Sequence, residues 1–168
     1  MDLSAFAEKA QYLNLEVMKG MYEAWNDKLW DDAAGMLIWM SQSAYPSFVW
    51  QTYDYYYDAT GAYWGAKKAC EPLHIQWNAS NNSVKVINTS LKSLDSVRVS
   101  AQIFDMDGQE IKKYGLQTSA TVQSNVAMEV FRLNFDGELG ATALSDVHFI
   151  KLTLKDRKGV LLSENFYW

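Results

Sequence analysis

Apolar residues at the start of the chain recur at steps of three and four, which is the spacing of one face of an α-helix. This apolar stripe consists of Leu3, Phe6, Ala7, Ala10, Leu13, Val17, Met18, Met21, Tyr22 and Trp25. We therefore predict a helix over Leu3–Trp25, capped at its start by Asp2 or Ser4 and ended by Asn26-Asp27.

A different pattern follows this helix. Met36–Met40 is a short apolar run without alternation, bounded by Gly35 and by the polar residues 41–43. Such a run is typical of a strand buried on both faces of a parallel sheet. After the aromatic segment Tyr45–Tyr57, a second helix is predicted over about Thr60–Ala69. A helix, a buried strand and a helix in succession indicate a piece of an α/β architecture.

The second half of the chain changes to a period of two, in which apolar and polar residues alternate as in half-buried strands. The alternating segments are Leu73–Asn78, Ser83–Asn88, Asp95–Asp105, Glu110–Val122, Ala127–Asn134, Val147–Leu154 and Val160–Trp168. Turn signals at Asn81-Asn82, Asp107-Gly108 and Lys158-Gly159 separate several of them. Seven such segments predict a sandwich of two sheets.

Composition and charge both change near Pro72. Residues 1–72 carry 15 of the 24 aromatic residues and a net charge of −5, from five Lys/Arg against ten Asp/Glu, whereas residues 73–168 have ten of each. We therefore predict two domains, 1–72 and 73–168. The fold class is an α+β chain of two parts, a helix–strand–helix part and an all-β sandwich of about seven strands.

Charge and cysteine content exclude several function classes. The net charge of −5 at pH 7 predicts no nucleic-acid partner. No stretch approaches the roughly 18 apolar residues of a membrane span. Cys70 is the single cysteine, and no Cys/His spacing fits a metal site, so neither a metal nor a cofactor is predicted.

The first domain cannot complete a core by itself. A buried parallel strand needs a strand on each side, and residues 1–72 supply no second one. We therefore favour a chain that is part of a larger protein over one in which this strand pairs in another way.

Three motifs, Gly35–Met40, Tyr45–Tyr56 and Ala62–His74, resemble glycoside hydrolase family 2. The likeness is greatest to its exo-β-glucosaminidase and β-mannosidase branches, which show a Trp-Pro-Ser element followed by Trp-x-x-Tyr-Asp-Tyr. Looser likeness extends to Lys9–Gln11, Met21–Trp25 and the terminal Asn165–Trp168. The resemblance implies that residues 1–72 are the end of a (β/α)8 barrel, with Met36–Met40 as its eighth strand. It also implies that residues 73–168 are the immunoglobulin-like domain that follows.

The resemblance further implies a retaining β-glycosidase, which acts through two carboxylates. In the family those glutamates come from the fourth and seventh barrel strands, which would lie upstream of Met1. We therefore expect no catalytic residue in this chain and no activity of the chain alone. Glu16 and Glu23 share a helix face that points away from a barrel's active site, and we interpret both as structural.

Trp39, Gln42 and Tyr45 are the predicted substrate-binding residues. By the resemblance, Trp39 at the end of the eighth strand forms an apolar platform for the sugar, since an aromatic ring suits the C–H face of a pyranose. Gln42 and Tyr45 follow in the loop, where the family has Leu-Asn and Trp-Pro-Ser. Here Ser41-Gln42 replaces Leu-Asn, and Tyr45 replaces the tryptophan before Pro-Ser. These departures indicate either a different accepted sugar or a changed subsite. The alternative for Trp39 is a tryptophan of the protein core. The alternative for Gln42 and Tyr45 is that they are solvated residues of a turn.

Two other functions stay open at this point. One is a non-catalytic carbohydrate-binding or scaffolding module that uses exposed aromatic residues of the sandwich. The other is a complete small protein whose helices cover the sandwich. The carbohydrate substrate belongs to the full-length parent. The sequence does not determine the location of that parent, for which we expect the periplasm or the extracellular space. An uncovered barrel remnant is expected to self-associate, to be covered by the helices or to be disordered.

Overall fold

The computed structural model describes residues 2–47, 51–135 and 147–168 of the chain. The chain divides into two compact units, residues 1–71 and 72–168. The first unit is helical and the second is a β-sandwich. Phe48, Val49 and Trp50, which belong to the predicted aromatic segment, lie outside the described residues.

The first unit contains two helices, α1 at Leu3–Asn26 and α2 at Gly61–Ala69. Both agree with the prediction to within a residue. Asp2 caps α1 as expected, because its Oδ1 accepts a hydrogen bond of 2.8 Å from the Ala5 amide. The connection between the helices, residues 27–60, has only isolated β-bridges among its described residues.

The two helices run in the same direction and approach each other closely. The side chain of Gln11 accepts a hydrogen bond of 2.6 Å from the Gly61 amide, and Asn26 donates one of 2.8 Å to the Ala69 carbonyl. A Cβ on Gly65 would lie 2.1 Å from the Leu15 carbonyl oxygen, so the backbones touch at this position. Glycine at this position of α2 is therefore what permits the approach.

The predicted strand Met36–Met40 is wrong. The segment has no strand assignment, and the Leu37 side chain is 98% exposed. An extended apolar segment becomes a buried strand only when neighbouring strands satisfy its backbone and cover both faces. No strand lies beside it in the described part of the first unit.

The apolar stripe of α1 is also largely exposed. Its large exposed members are Leu3, Phe6, Leu13, Val17, Met21 and Trp25, with exposed fractions between 41% and 74%. Helix α2 packs on a different side of α1, at Gln11, Leu15 and Lys19. Lys19 is buried there and pairs with Glu16 at 3.0 Å, which supports the structural role of that carboxylate.

The second unit is an antiparallel sandwich, and the expected seven strands are present in its described residues. The strands are β1 Leu73–Asn78, β2 Ser83–Asn88, β3 Leu94–Phe104, β4 Leu116–Val122, β5 Val126–Arg132, β6 Phe149–Lys155 and β7 Leu161–Tyr167. One sheet has the order β1-β2-β5 and the other the order β4-β3-β6-β7. A short 3-10 helix, Lys112–Tyr114, precedes β4.

The core of the sandwich lies between the two sheets, where the apolar positions of the alternating pattern meet. Its fully buried side chains include Ile75, Val86, Val99, Ile103 and Leu152. These residues alternate with polar ones along each strand, which is why the sequence pattern located the strands correctly.

Polar side chains of β7 close the free edge of β1. Ser163, Asn165 and Tyr167 alternate along β7 and therefore share one face. The Ser163 hydroxyl accepts from the Ile75 amide at 3.3 Å, the Asn165 amide donates to the Ile75 carbonyl at 3.0 Å, and the Tyr167 hydroxyl accepts from the Trp77 amide at 3.0 Å.

The same contacts explain why the His74 side chain of β1 is buried. Its Nε2 lies 3.3 Å from Asn165 Nδ2, within the group of side chains that closes the edge. The backbone groups of an edge strand need partners when they are buried. His74 is thus a packed residue of the sandwich.

Candidate functional site

The three predicted site residues lie close together in sequence on the connection between α1 and α2. Trp39 is 77% exposed and Tyr45 is 69% exposed, whereas Gln42 is half-buried. No ring contact or hydrogen bond joins the three side chains in the described part of the unit. Trp39 is therefore not a core residue of the first unit as the structure describes it, and its role in sugar binding stays a prediction.

Backbone pairing holds the middle of this segment in place. Gln42 forms an isolated parallel bridge with Tyr53. The Ser41 carbonyl accepts hydrogen bonds of 2.9 Å from both the Tyr53 amide and the Thr52 hydroxyl. The Ser43 hydroxyl donates to the Gln51 side chain. These bonds fix residues 41–43 against residues 51–53 and leave the flanking aromatic rings exposed.

The same loop is connected to the start of α2. The Thr60 hydroxyl donates to the Gln51 carbonyl at 2.5 Å, and the Thr60 amide donates to the Thr52 carbonyl at 3.1 Å. The Tyr53 ring lies 5.3 Å from the Tyr63 ring on α2. Gln51, Thr52 and Thr60 therefore position the predicted site. The sequence analysis did not single them out, because their partners lie several residues away in a loop of irregular structure.

Asp54 forms a local turn. Its Oδ1 accepts hydrogen bonds from the amides of Tyr56 at 2.8 Å and of Asp58 at 2.9 Å. This arrangement is an Asx-type turn, in which the carboxylate replaces a backbone acceptor. The carboxylate that lies among tyrosines thus supports the loop.

Burial shifts the pKa of two neighbouring groups of this unit, Tyr22 and Cys70. Partial burial raises the pKa of the Cys70 thiol, and it also raises the pKa of Tyr22, with a smaller contribution from Cys70. Within the described residues, no group of three or more His, Cys, Asp or Glu side chains could hold a metal ion. No helix of the described residues is long and apolar enough to cross a membrane.

The sandwich and its sequence define the class of protein. Residues 80–168 match the family described as Mannosidase Ig/CBM-like domain, and the chain belongs to that family. The predicted immunoglobulin-like sandwich is thereby confirmed, and the chain is mostly β-sandwich with an N-terminal helical part.

Particular relatives narrow this class further. The chain is 33% identical to an exo-β-D-glucosaminidase from Amycolatopsis orientalis, over 99% of this chain and 16% of the enzyme. It is 30% identical to a mannosylglycoprotein endo-β-mannosidase from Lilium longiflorum, over 99% of this chain and 17% of the enzyme. A solved complex of the Amycolatopsis orientalis exo-chitosanase CsxA with PNP-β-D-glucosamine superposes with a TM-score of 0.86 at 32% identity, covering 99% of this chain and 19% of that one.

These homologues are glycosidases of glycoside hydrolase family 2, which confirms the resemblance found in the sequence. The similarity includes residues 1–72 as well as the sandwich, because it covers 99% of the chain. The chain spans less than a fifth of the length of these relatives.

Proposed function

We propose that this chain is part of a retaining β-glycosidase of the mannosidase or glucosaminidase type, and that residues 1–72 belong to its (β/α)8 barrel. The exposed apolar surface of the first unit is the observation that carries the proposal. It consists of the α1 stripe and of Met36–Met40, where Leu37 and Trp39 are 98% and 77% exposed. Soluble monomers rarely expose continuous apolar surfaces of this kind.

The direction of the two helices supports the same proposal. Helices joined by a short loop pack antiparallel, whereas α1 and α2 run parallel and are joined by the long connection 27–60. Consecutive helices of a (β/α)8 barrel run parallel because a strand lies between them. Met36–Met40 lies between the two helices in the sequence. It forms no strand in this chain, and in the whole protein other parts of the barrel would cover its exposed apolar side chains.

In this proposal the chain contributes to substrate binding and supplies no catalytic carboxylate. Trp39 is the apolar platform for the sugar, and Gln42 and Tyr45 contact its hydroxyl groups from the loop. The pairing of residues 41–43 with 51–53 supports this role, since a binding loop has to hold its side chains in one geometry.

The test uses the full-length protein that contains this chain, assayed with aryl β-mannoside and aryl β-glucosaminide substrates. Trp39→Ala should lower kcat/KM by roughly 10- to 1,000-fold while the melting temperature changes little. Trp64→Ala is the matched control, because Trp64 is a half-exposed tryptophan of the same unit on α2. It should leave kcat/KM unchanged.

Two outcomes would contradict the proposal. Unchanged kcat/KM in a well-folded Trp39→Ala enzyme would remove Trp39 from the sugar site. A full-length protein without activity on any β-glycoside, despite a native fold, would remove the glycosidase function itself.

The exposed surface also leads to an expectation for the 168-residue chain alone. Burying one large apolar side chain stabilises a protein by about 1.5–3 kcal/mol, so uncovered side chains favour association. The chain should self-associate in sedimentation experiments. Leu13→Lys together with Val17→Lys, on the exposed stripe of α1, should shift it toward monomer. A chain that is monomeric before these substitutions would contradict this expectation.

A further inference from the structure

The outer face of the four-stranded sheet carries a polar groove of about 440 Å³. Its floor is formed by residues that alternate with the core positions of β3 and β6. In the strand register Ser100 faces Thr153 and Gln102 faces Lys151. The hydroxyls of Ser100 and Thr153 are hydrogen-bonded at 2.6 Å, and Gln102 donates to Glu110 at 3.3 Å.

The groove is positively charged. Lys112, Lys151 and Lys155 line it, together with the carboxylate of Glu110. Glu164 of β7, which pairs with Thr153 in the strand register, adds a second, exposed carboxylate to the same face. None of the three lysines forms an ion pair with a residue that the structure describes. The chain as a whole has a net charge of −5, so this concentration of cations is a local feature of one face. The net charge of the whole chain gives no indication of this positively charged face.

A cluster of aromatic rings adjoins the lysines on the same face. Phe166 of β7 lies opposite Lys151 in the strand register, so both side chains point outward. The Phe166 ring stacks on Phe149 at 5.6 Å and meets the Trp168 ring edge-on at 6.5 Å. Phe166 and Trp168 are both exposed. Exposed aromatic rings beside a polar groove are features of a binding surface.

We propose that this face binds an acidic oligosaccharide, that is, a chain of pyranose units bearing carboxylates. The aromatic rings suit the C–H faces of the sugars, the hydroxyl and amide groups of the floor suit their hydroxyls, and the lysines suit the carboxylates. The excess of lysines excludes a polycationic chain such as a glucosamine polymer from this groove, because like charges repel. The site lies in the second unit and does not depend on the proposed glycosidase function.

The complete 168-residue chain is titrated calorimetrically with three probes of similar length: hexagalacturonate, mannohexaose and hexa-aspartate. Hexagalacturonate should bind, with mannohexaose weaker by about tenfold or more, because the neutral chain lacks the charge-assisted hydrogen bonds. Hexa-aspartate should bind weakly or not at all, since it has the charge but no pyranose faces.

Substitutions test the lysines and the aromatic rings of the site separately. Lys151→Gln together with Lys155→Gln should remove the preference for hexagalacturonate, whereas Lys92→Gln with Lys158→Gln, at exposed lysines outside the groove, should preserve it. Trp168→Ala should weaken the binding of hexagalacturonate by about tenfold. Circular dichroism spectra of each variant establish that the sandwich is intact.

Three results would overturn the proposal. The first is no binding of hexagalacturonate at millimolar concentration. The second is hexa-aspartate binding as tightly as hexagalacturonate, which would make the face a general anion surface. The third is mannohexaose binding equally well and independently of the lysines, which would make it a site for neutral sugars.

Discussion

Gly65→Ala is expected to destabilise the helical unit, although alanine is the better helix former. The added Cβ would lie 2.1 Å from the Leu15 carbonyl oxygen and 2.9 Å from the Lys19 amide nitrogen, where ordinary contacts begin at 3.4 Å. Both obstacles are backbone atoms, so no side-chain rotation can relieve them. Helices α1 and α2 must therefore separate by more than about 1 Å where they now touch.

The expected magnitude combines two opposing effects. Overpacking costs about 1–3 kcal/mol, and a clash with backbone lies at the upper end of that range. Replacing glycine by alanine inside a helix returns about 0.5–1 kcal/mol. The net loss is therefore about 2 kcal/mol. In a chain of 168 residues, such a loss lowers the melting temperature by roughly 4–8 °C.

The measurement is the thermal melting of helical circular dichroism in the 168-residue chain, with amide hydrogen exchange to locate the change in α1 and α2. Gly20→Ala is the matched control. Gly20 lies inside α1, and a Cβ there would have no atom within 4 Å. This variant should gain about 0.5–1 kcal/mol. A Gly65→Ala chain that melts at or above the parent temperature would refute the reasoning.

The remaining predictions concern folding, the edge of β1, the cysteine and activity. The sandwich fragment 73–168 should unfold cooperatively in urea, and a 1–72 fragment should not; cooperative unfolding of the latter would contradict this. Tyr167→Phe should lower the free energy of unfolding in urea by about 1–3 kcal/mol, because the Trp77 amide loses its acceptor. An unchanged urea midpoint would show that this hydrogen bond does not stabilise the sandwich. The raised pKa of Cys70 leaves less thiolate at neutral pH, so iodoacetamide should alkylate it more slowly than free cysteine; an equal rate would count against it. The 168-residue chain alone should not hydrolyse aryl β-glycosides; turnover abolished by substituting one of its own carboxylates would show otherwise.

The strands of the sandwich could be predicted because their signal is local. The alternation of apolar and polar residues located β2 to the residue and β3 to within one residue. The cap of α1 could be predicted for the same reason, because Asp2 and the Ala5 amide that donates to it are three residues apart. The two sheets, by contrast, depend on pairings such as β2 with β5 and β3 with β6, which the pattern does not specify.

The candidate site could be predicted only in part. A motif and its resemblance to a known family drew attention to Trp39, Gln42 and Tyr45. The bonds from Gln51, Thr52 and Thr60 that hold their loop have no regular spacing, so the sequence offered no signal for them. At Met36–Met40 the sequence carries a signal that the structure does not follow. The run is apolar enough to predict a buried strand, yet its side chains remain exposed.

By itself the sequence determined the elements whose hydrogen bonds and apolar faces are set within a few residues, namely two helices, seven strands and their turns. Only the tertiary structure decided which apolar surfaces are covered. The free edge of β1 is closed by β7 side chains about ninety residues away, while most of the stripe of α1 stays exposed among the described residues. The physical reason is that periodicity reports which face of an element is apolar, whereas burial depends on whether another surface is present to meet it.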